Sequence, residues 1–141
     1  MEIQELWKRF QSHMSYTDAE MEVFRSDPLK VKMVTETPEF VKCRVIAEVT
    51  ESHGCHAQHQ VGDRFVMTPG GMLLTQENPK GICVSALAAV NKVMPAISER
   101  LISKSDPNFE RVDIVDCPDV GLDKGGWGKI FMKVYVEKIQ S

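Results

Sequence analysis

From Val41 to Thr50 the chain alternates with a period of two. Val41, Cys43, Val45, Ala47 and Val49 fall on one side and Lys42, Arg44, Glu48 and Thr50 on the other, with Ile46 the exception. Successive side chains of a strand point to opposite faces, so this run specifies a β-strand with one face in a core. Near the other end, Ile130, Met132, Val134 and Val136 alternate with Phe131, Lys133, Tyr135 and Glu137, which specifies a last strand of the same kind. One-sided strands need an apolar layer against them, and that layer has to come from elsewhere in the chain.

A helical period supplies it. Cys83, Leu87, Val90, Met94, Ile97 and Leu101 follow steps of 4, 3, 4, 3 and 4, which predicts a central helix from Ile82 to about Leu101. Pro95 cannot donate into the helical ladder, so a kink or break is expected around Val93. Val61 to Met67 reads as a second strand. Thr68-Pro69-Gly70-Gly71 supplies a turn into a short third strand, Met72-Leu73-Leu74, and Val112 to Cys117 reads as a fourth. The expected fold class is α+β: a mostly antiparallel sheet of about five strands packed on a central helix, with a helical N-terminal cap.

Residues 1–38 form that cap, and 39–141 the core domain. Leu6, Phe10 and Met14, with Ile3 and Trp7 beside them, make one apolar helical stripe. Thr17-Asp18-Ala19-Glu20 is a capping box that opens a second helix carrying Met21 and Phe24. A further turn or helix covers Pro28 to Val34, and Thr37-Pro38 breaks the chain. Amphipathic helices of this kind bury their stripe internally or offer it to a partner protein or a second copy of the chain.

A net charge of −3 gives no electrostatic footprint for nucleic acid, and no apolar run is long enough to span a bilayer. The acidic, amphipathic N-terminus does not resemble a secretory signal, so a cytoplasmic setting with four reduced cysteines is expected.

Chemistry concentrates in Ser52 to Asp63, where His53, Cys55, His56 and His59 follow the first strand directly. Cys43 lies among valines on the inner strand face and reads as a small core residue. Cys55, Cys83 and Cys117 each fall at a junction between elements, the usual place for functional groups on a rigid scaffold. Three thiols arriving at one end of a sheet, completed by His53, His56 or His59, would make a tetrahedral metal set for zinc or an iron–sulfur cluster. Against this, no Cys-x-x-Cys pair occurs, and only the fold can bring such distant residues together. Cys83 has a second reading. A thiol in the first turn of a helix faces unpaired N–H groups, which favours the thiolate, and with His56 it could form a nucleophile or acid/base pair. It also starts the apolar stripe, and burial alone would explain it. Asp119 stands in a turn, and Gly125-Gly126-Trp127-Gly128 is a glycine-rich bend whose N–H groups could cradle an anion. Asp119 and Trp127 are therefore the candidate cofactor-contacting residues, with turn formation and packing over the sheet as their structural explanations.

These motifs resemble a family of short uncharacterised prokaryotic proteins: Gly54-Cys55, then Val61-Gly62-Asp63-x-Phe65, then Pro79-x-Gly81-x-Cys83, then Cys117-x-Asp119 before a last strand. The resemblance covers about residues 41–139. The N-terminal helices and Gly125-Gly126-Trp127-Gly128 resemble a longer subgroup with a helical cap. His56 stands where many relatives have proline. Cys55, Cys83 and Cys117 fall on motif positions and Cys43 does not, which matches the division drawn from burial pattern. The resemblance implies a fold and site positions but no activity. Three functions are thus expected in order: a metal, iron–sulfur or thiol-rich site in an accessory protein of anaerobic or redox metabolism; a small enzyme using the Cys83 thiolate or a histidine; a structural, partner-binding module.

Overall fold

A computed structural model describes residues 2–36, 40–108 and 113–139. The chain divides into two compact units, Met1–Phe40 and Val41–Ser141. Together they hold five α-helices and a four-stranded antiparallel sheet among the described residues, an α+β protein.

The first unit is built from α1 (Ile3–Met14), α2 (Asp18–Arg25) and α3 (Pro28–Thr35). α1 stops because Ser15 turns left-handed at φ 58°. The expected capping box opens α2: Thr17 Oγ1 accepts from the Glu20 N–H at 3.1 Å, and the Glu20 carboxylate accepts from the Thr17 N–H at 3.0 Å. Asp27 caps α3, accepting from the Leu29 N–H, with Pro28 in the first turn where its missing N–H costs nothing. Trp7, Met21 and Val34 are buried at the centre, ringed by Leu6, Phe10, Tyr16, Phe24 and Val31. The break expected at Thr37-Pro38 lies outside the described residues.

In the second unit the sheet order is β2-β1-β4-β3, with β1 Cys43–His53, β2 Arg64–Met67, β3 Ile114–Asp116 and β4 Lys129–Lys138. The two alternating runs read from the sequence are thus the central pair. Valines 45 and 49, Ala47, Met132 and Val134 point into one buried cluster that also contains Phe65, Ala86, Ala89, Val90, Met94 and Ile97. Cys43 belongs to that cluster.

The strand count departs from the expected five, because Met72-Leu73-Leu74 is reduced to one bridge between Met67 and Leu73. Asn78 is the reason. Its side-chain oxygen accepts from the Val66 N–H and its amide donates to the Val66 carbonyl, both at 2.8 Å, so the returning segment shares that carbonyl through the Leu74 N–H but loses the Val66 N–H. Of the strand expected at Val112 to Cys117, Ile114–Asp116 forms, and Val112 lies outside the described residues.

The expected central helix is two helices, α4 (Val84–Asn91) and α5 (Met94–Ile102). The N–H groups of Lys92 and Val93 reach back only three residues, to Ala89 and Val90, and Pro95 then sits in the first turn of α5. Proline breaks the ladder where the sequence places it. No helix among the described residues is long and apolar enough to cross a membrane.

Candidate functional site

The site begins with a fault in the sheet. Between β1 and β4 the register shifts at Thr50: Val49 faces Met132, but Glu51 faces Phe131. The extra residue is a β-bulge, which reverses the in–out alternation beyond it. Ser52, now opposite the buried Ile130, turns inward, while His53, opposite Lys129, turns outward. Continued alternation would have sent His53 to the inner face.

Past His53 the chain crosses the glycine-rich bend at very close range. A Cβ at Gly128 would lie 2.1 Å from both the carbonyl carbon and oxygen of Gly54, and 2.3 Å from the His53 oxygen. Gly54 itself adopts φ +63°, beneath the Trp127 carbonyl. Only glycine at both positions lets the two backbones meet. This crossing delivers Cys55 and Gly128 to one place.

Cys55 then opens a turn, its carbonyl accepting from the Gln58 N–H at 3.0 Å. His59 follows, 3% exposed and fixed on several sides. The Ser52 hydroxyl donates to its carbonyl at 2.6 Å, the Phe65 ring stands edge-on at 4.9 Å, and Nε2 accepts the backbone N–H of Cys83 at 3.1 Å. An accepting Nε2 carries no proton, so a neutral ring holds its proton on Nδ1, which faces the Asp63 carboxylate at 3.9 Å. Cys83 is the N-cap residue of α4, and its side chain makes no capping hydrogen bond. Cys117 follows β3: its N–H donates to the Ile130 carbonyl, and the Ile130 N–H donates to its Sγ at 3.4 Å.

Asp119 organises the remaining wall. Oδ1 accepts from the N–H groups of Gly121 at 2.8 Å and Trp127 at 3.1 Å, and Oδ2 lies 3.4 Å from the Gly128 nitrogen. The N–H of Gly121, with those of Gly128 and Trp127, holds this carboxyl below its ordinary value. Gly126 makes room for it, since a Cβ there would fall 2.1 Å from Oδ1. Lys129 Nζ braces the same turn, donating to the Cys117 and Asp119 carbonyls and pairing with Asp116 at 2.8 Å. That pairing lowers the Asp116 carboxyl and raises the Lys129 ammonium. No motif marked Lys129 or Asp116; the lone cation at the start of the last strand was the one signal.

These pieces enclose a cavity of about 90 Å³ lined by Cys55, His56, His59, Cys83, Cys117 and Asp119, with Ala57, Ser85, Ala86, Gly128 and Ile130 completing it. Of the expected site residues, His53 and Trp127 are not in the lining. Trp127 is 70% exposed and stands edge-on to the His56 ring at 5.2 Å, so its contribution to the wall comes through its backbone N–H on Asp119. None of the four cysteines is in a disulfide. Among the described residues no group of three or more His, Cys, Asp or Glu side chains is placed to hold a metal ion. His59 has its Nε2 lone pair engaged by Cys83, and ligation there would first have to break that bond.

The fold and site together define an α+β protein with a small thiol-lined cavity. Compared with family models, curated proteins and solved structures, the chain matches none.

Proposed function

We propose that the protein acts through this cavity as a cysteine-based site, with Cys83 as the attacking or capturing thiol, His56 as the ionisable group beside it, and Cys55 and Cys117 as its companions. The observation that carries the reading is that three cysteines from three distant segments line one cavity of about 90 Å³, while the fourth, Cys43, lies in the core. Cys83 is the N-cap residue of α4, its neighbours Ser85 and Ala86 also line the cavity, and the start of a helix favours the thiolate over the thiol. The reaction class is nucleophilic attack of sulfur on a compact, soft electrophile. In this reading α4 and α5 are the support behind the sheet, which their shared buried cluster favours. The setting is a reducing one such as the cytoplasm, and the N-terminal helices are the place for a partner or second copy, which the exposed Val23 and Leu29 favour.

Native-state alkylation tests it. With iodoacetamide, sulfur displaces iodide, and peptide mass mapping should show Cys83 labelled at least about tenfold faster than Cys43, whose sulfur is buried. Uniform labelling of all four cysteines, or none at Cys83, would sink the reading.

A second reading keeps the metal. The three thiols on one cavity favour it, with zinc or an iron–sulfur cluster as the group and an accessory redox role as the function. Metal analysis of anaerobically purified protein decides: bound metal that falls in Cys83→Ser supports it, and near-zero metal in both proteins excludes it.

A further inference from the structure

The cavity's charge and size point to the kind of molecule it accepts, an inference that rests on the thiol-site reading above. We propose that it takes a compact, uncharged or cationic thiophile and rejects carboxylate- or phosphate-bearing ones. Among the described residues no lysine or arginine is in the lining. Of the cations near it, Lys129 is spent on the Asp116 carboxylate and on the Cys117 and Asp119 carbonyls, and Lys92 also acts on Asp116. The carboxylate in the wall, Asp119, is held ionised by the N–H groups of Gly121, Trp127 and Gly128. The sulfurs themselves can only add negative charge on ionising.

The first turn of α4 opposes this, since a helix start carries a partial positive charge of about half a unit. That is less than the charge on Asp119, whose oxygens accept from three backbone N–H groups but which stays a carboxylate, and the Cys83 side chain makes no capping hydrogen bond with the helix start. The imidazoles of His56 and His59 add a positive charge only when protonated, and His59 is held as an acceptor. The balance therefore disfavours an incoming anion. Volume adds a second limit: the cavity measures only about 90 Å³, which favours a compact reacting group.

Iodoacetamide and iodoacetate differ in charge and hardly in size, and both alkylate by releasing iodide. Their rates at Cys83 are measured in the full-length native protein near pH 8, where imidazoles are ordinarily neutral, and divided by the rates at the same residue in urea-unfolded protein. The neutral reagent should be favoured by about fivefold over the unfolded ratio, the scale of one unit charge about 4 Å away across water. Bromoethylamine, a cation that loses bromide, should not be disfavoured. The preference should shrink in Asp119→Asn and, in the unaltered protein, in about 1 M salt, where screening reaches only about 3 Å. Should Asp119→Asn fail to fold, the salt series alone decides. Selective labelling of Cys83 with a ratio equal to that of the unfolded chain, or faster with iodoacetate, overturns the ligand class and leaves the thiol reading standing. Absence of selective labelling overturns the thiol reading itself.

Discussion

His59 shows how one residue can matter to a site without reacting. Its imidazole is buried and its Nε2 holds the N–H of Cys83, so it fixes the chain where α4 begins. Replacing it by leucine leaves that N–H without its acceptor, which should cost about 1–3 kcal/mol in urea denaturation. His59→Gln offers a side-chain carbonyl instead and should recover part of the loss. If the Cys83 labelling rate changes in His59→Leu and returns towards normal in His59→Gln, the bond positions the thiol; equal rates in all three proteins would argue that it does not. The charged residues of the neighbouring turn set a pH dependence. Asp119 and Asp116 have carboxyls below their ordinary value of 3.8, so the unfolded chain takes up protons first as acid is added. Their contribution is complete above the unfolded value and disappears as pH falls through the folded one. Lys129 works in the opposite direction: raised above 10.5, it contributes below the unfolded value and is lost as pH rises through the folded one. Asp119→Asn should flatten the fall in the urea midpoint between about pH 5 and pH 2, and an unchanged acid limb would show that the carboxylate contributes nothing.

Besides the side-chain bonds of His59, Asp119 and Lys129, two backbones meet directly at the site, and that makes the crossing of Gly54 and Gly128 its most sensitive point. A methyl at Gly128 has backbone atoms on its far side at 2.1 Å, which cannot rotate away, so Gly128→Ala should lose about 3 kcal/mol by forcing β1 and β4 apart at that end. Gly126→Ala meets the Asp119 side-chain oxygen at 2.1 Å, which can be displaced, and the Gly121 backbone nitrogen and oxygen at 2.9 and 3.0 Å, which need only a small shift of that turn. It should be milder in stability but should erase the acid limb that Asp119 supplies, and urea titrations of both variants at pH 7 and pH 3 separate the two effects. The same geometry explains what could be read in advance. Period-two alternation found the central strands, proline found the break between α4 and α5, and the placing of Cys55, Cys83 and Cys117 at element junctions found three residues of the cavity wall. Alternation carries no sign of the bulge at Thr50, which turned His53 outward and Ser52 inward. Nor does composition reveal that Asn78 would cap β2 with its side chain, or that a buried histidine would accept a hydrogen bond from a backbone 24 residues away. Those outcomes depend on contacts far apart in sequence, which a local pattern cannot encode.

At the scale of the whole molecule the two units differ in how much core they own. Val41–Ser141 buries a continuous cluster from four strands and two helices, whereas the described residues of Met1–Phe40 have only Trp7, Met21 and Val34 buried. A unit of about 40 residues that contains no cysteine, and so no disulfide, sits at the lower limit of independent stability, so the helical unit should open at lower free energy than the sheet. The chain has one tryptophan in each unit: Trp7 is 7% exposed under the Arg25 guanidinium, and Trp127 is 70% exposed. In Trp127→Phe protein the fluorescence therefore reports the first unit alone. Its transition in urea should come at a lower midpoint than the loss of sheet signal in far-ultraviolet circular dichroism, and amides of α1–α3 should exchange faster than those of β1 and β4. Trp7→Ala should remove about 3–5 kcal/mol from that first transition while leaving the exchange of β1 and β4, and the Cys83 labelling rate, where they were. Coincident transitions from both probes would instead mean that the two units unfold as one, and a slowed Cys83 in Trp7→Ala would tie the helical unit to the site.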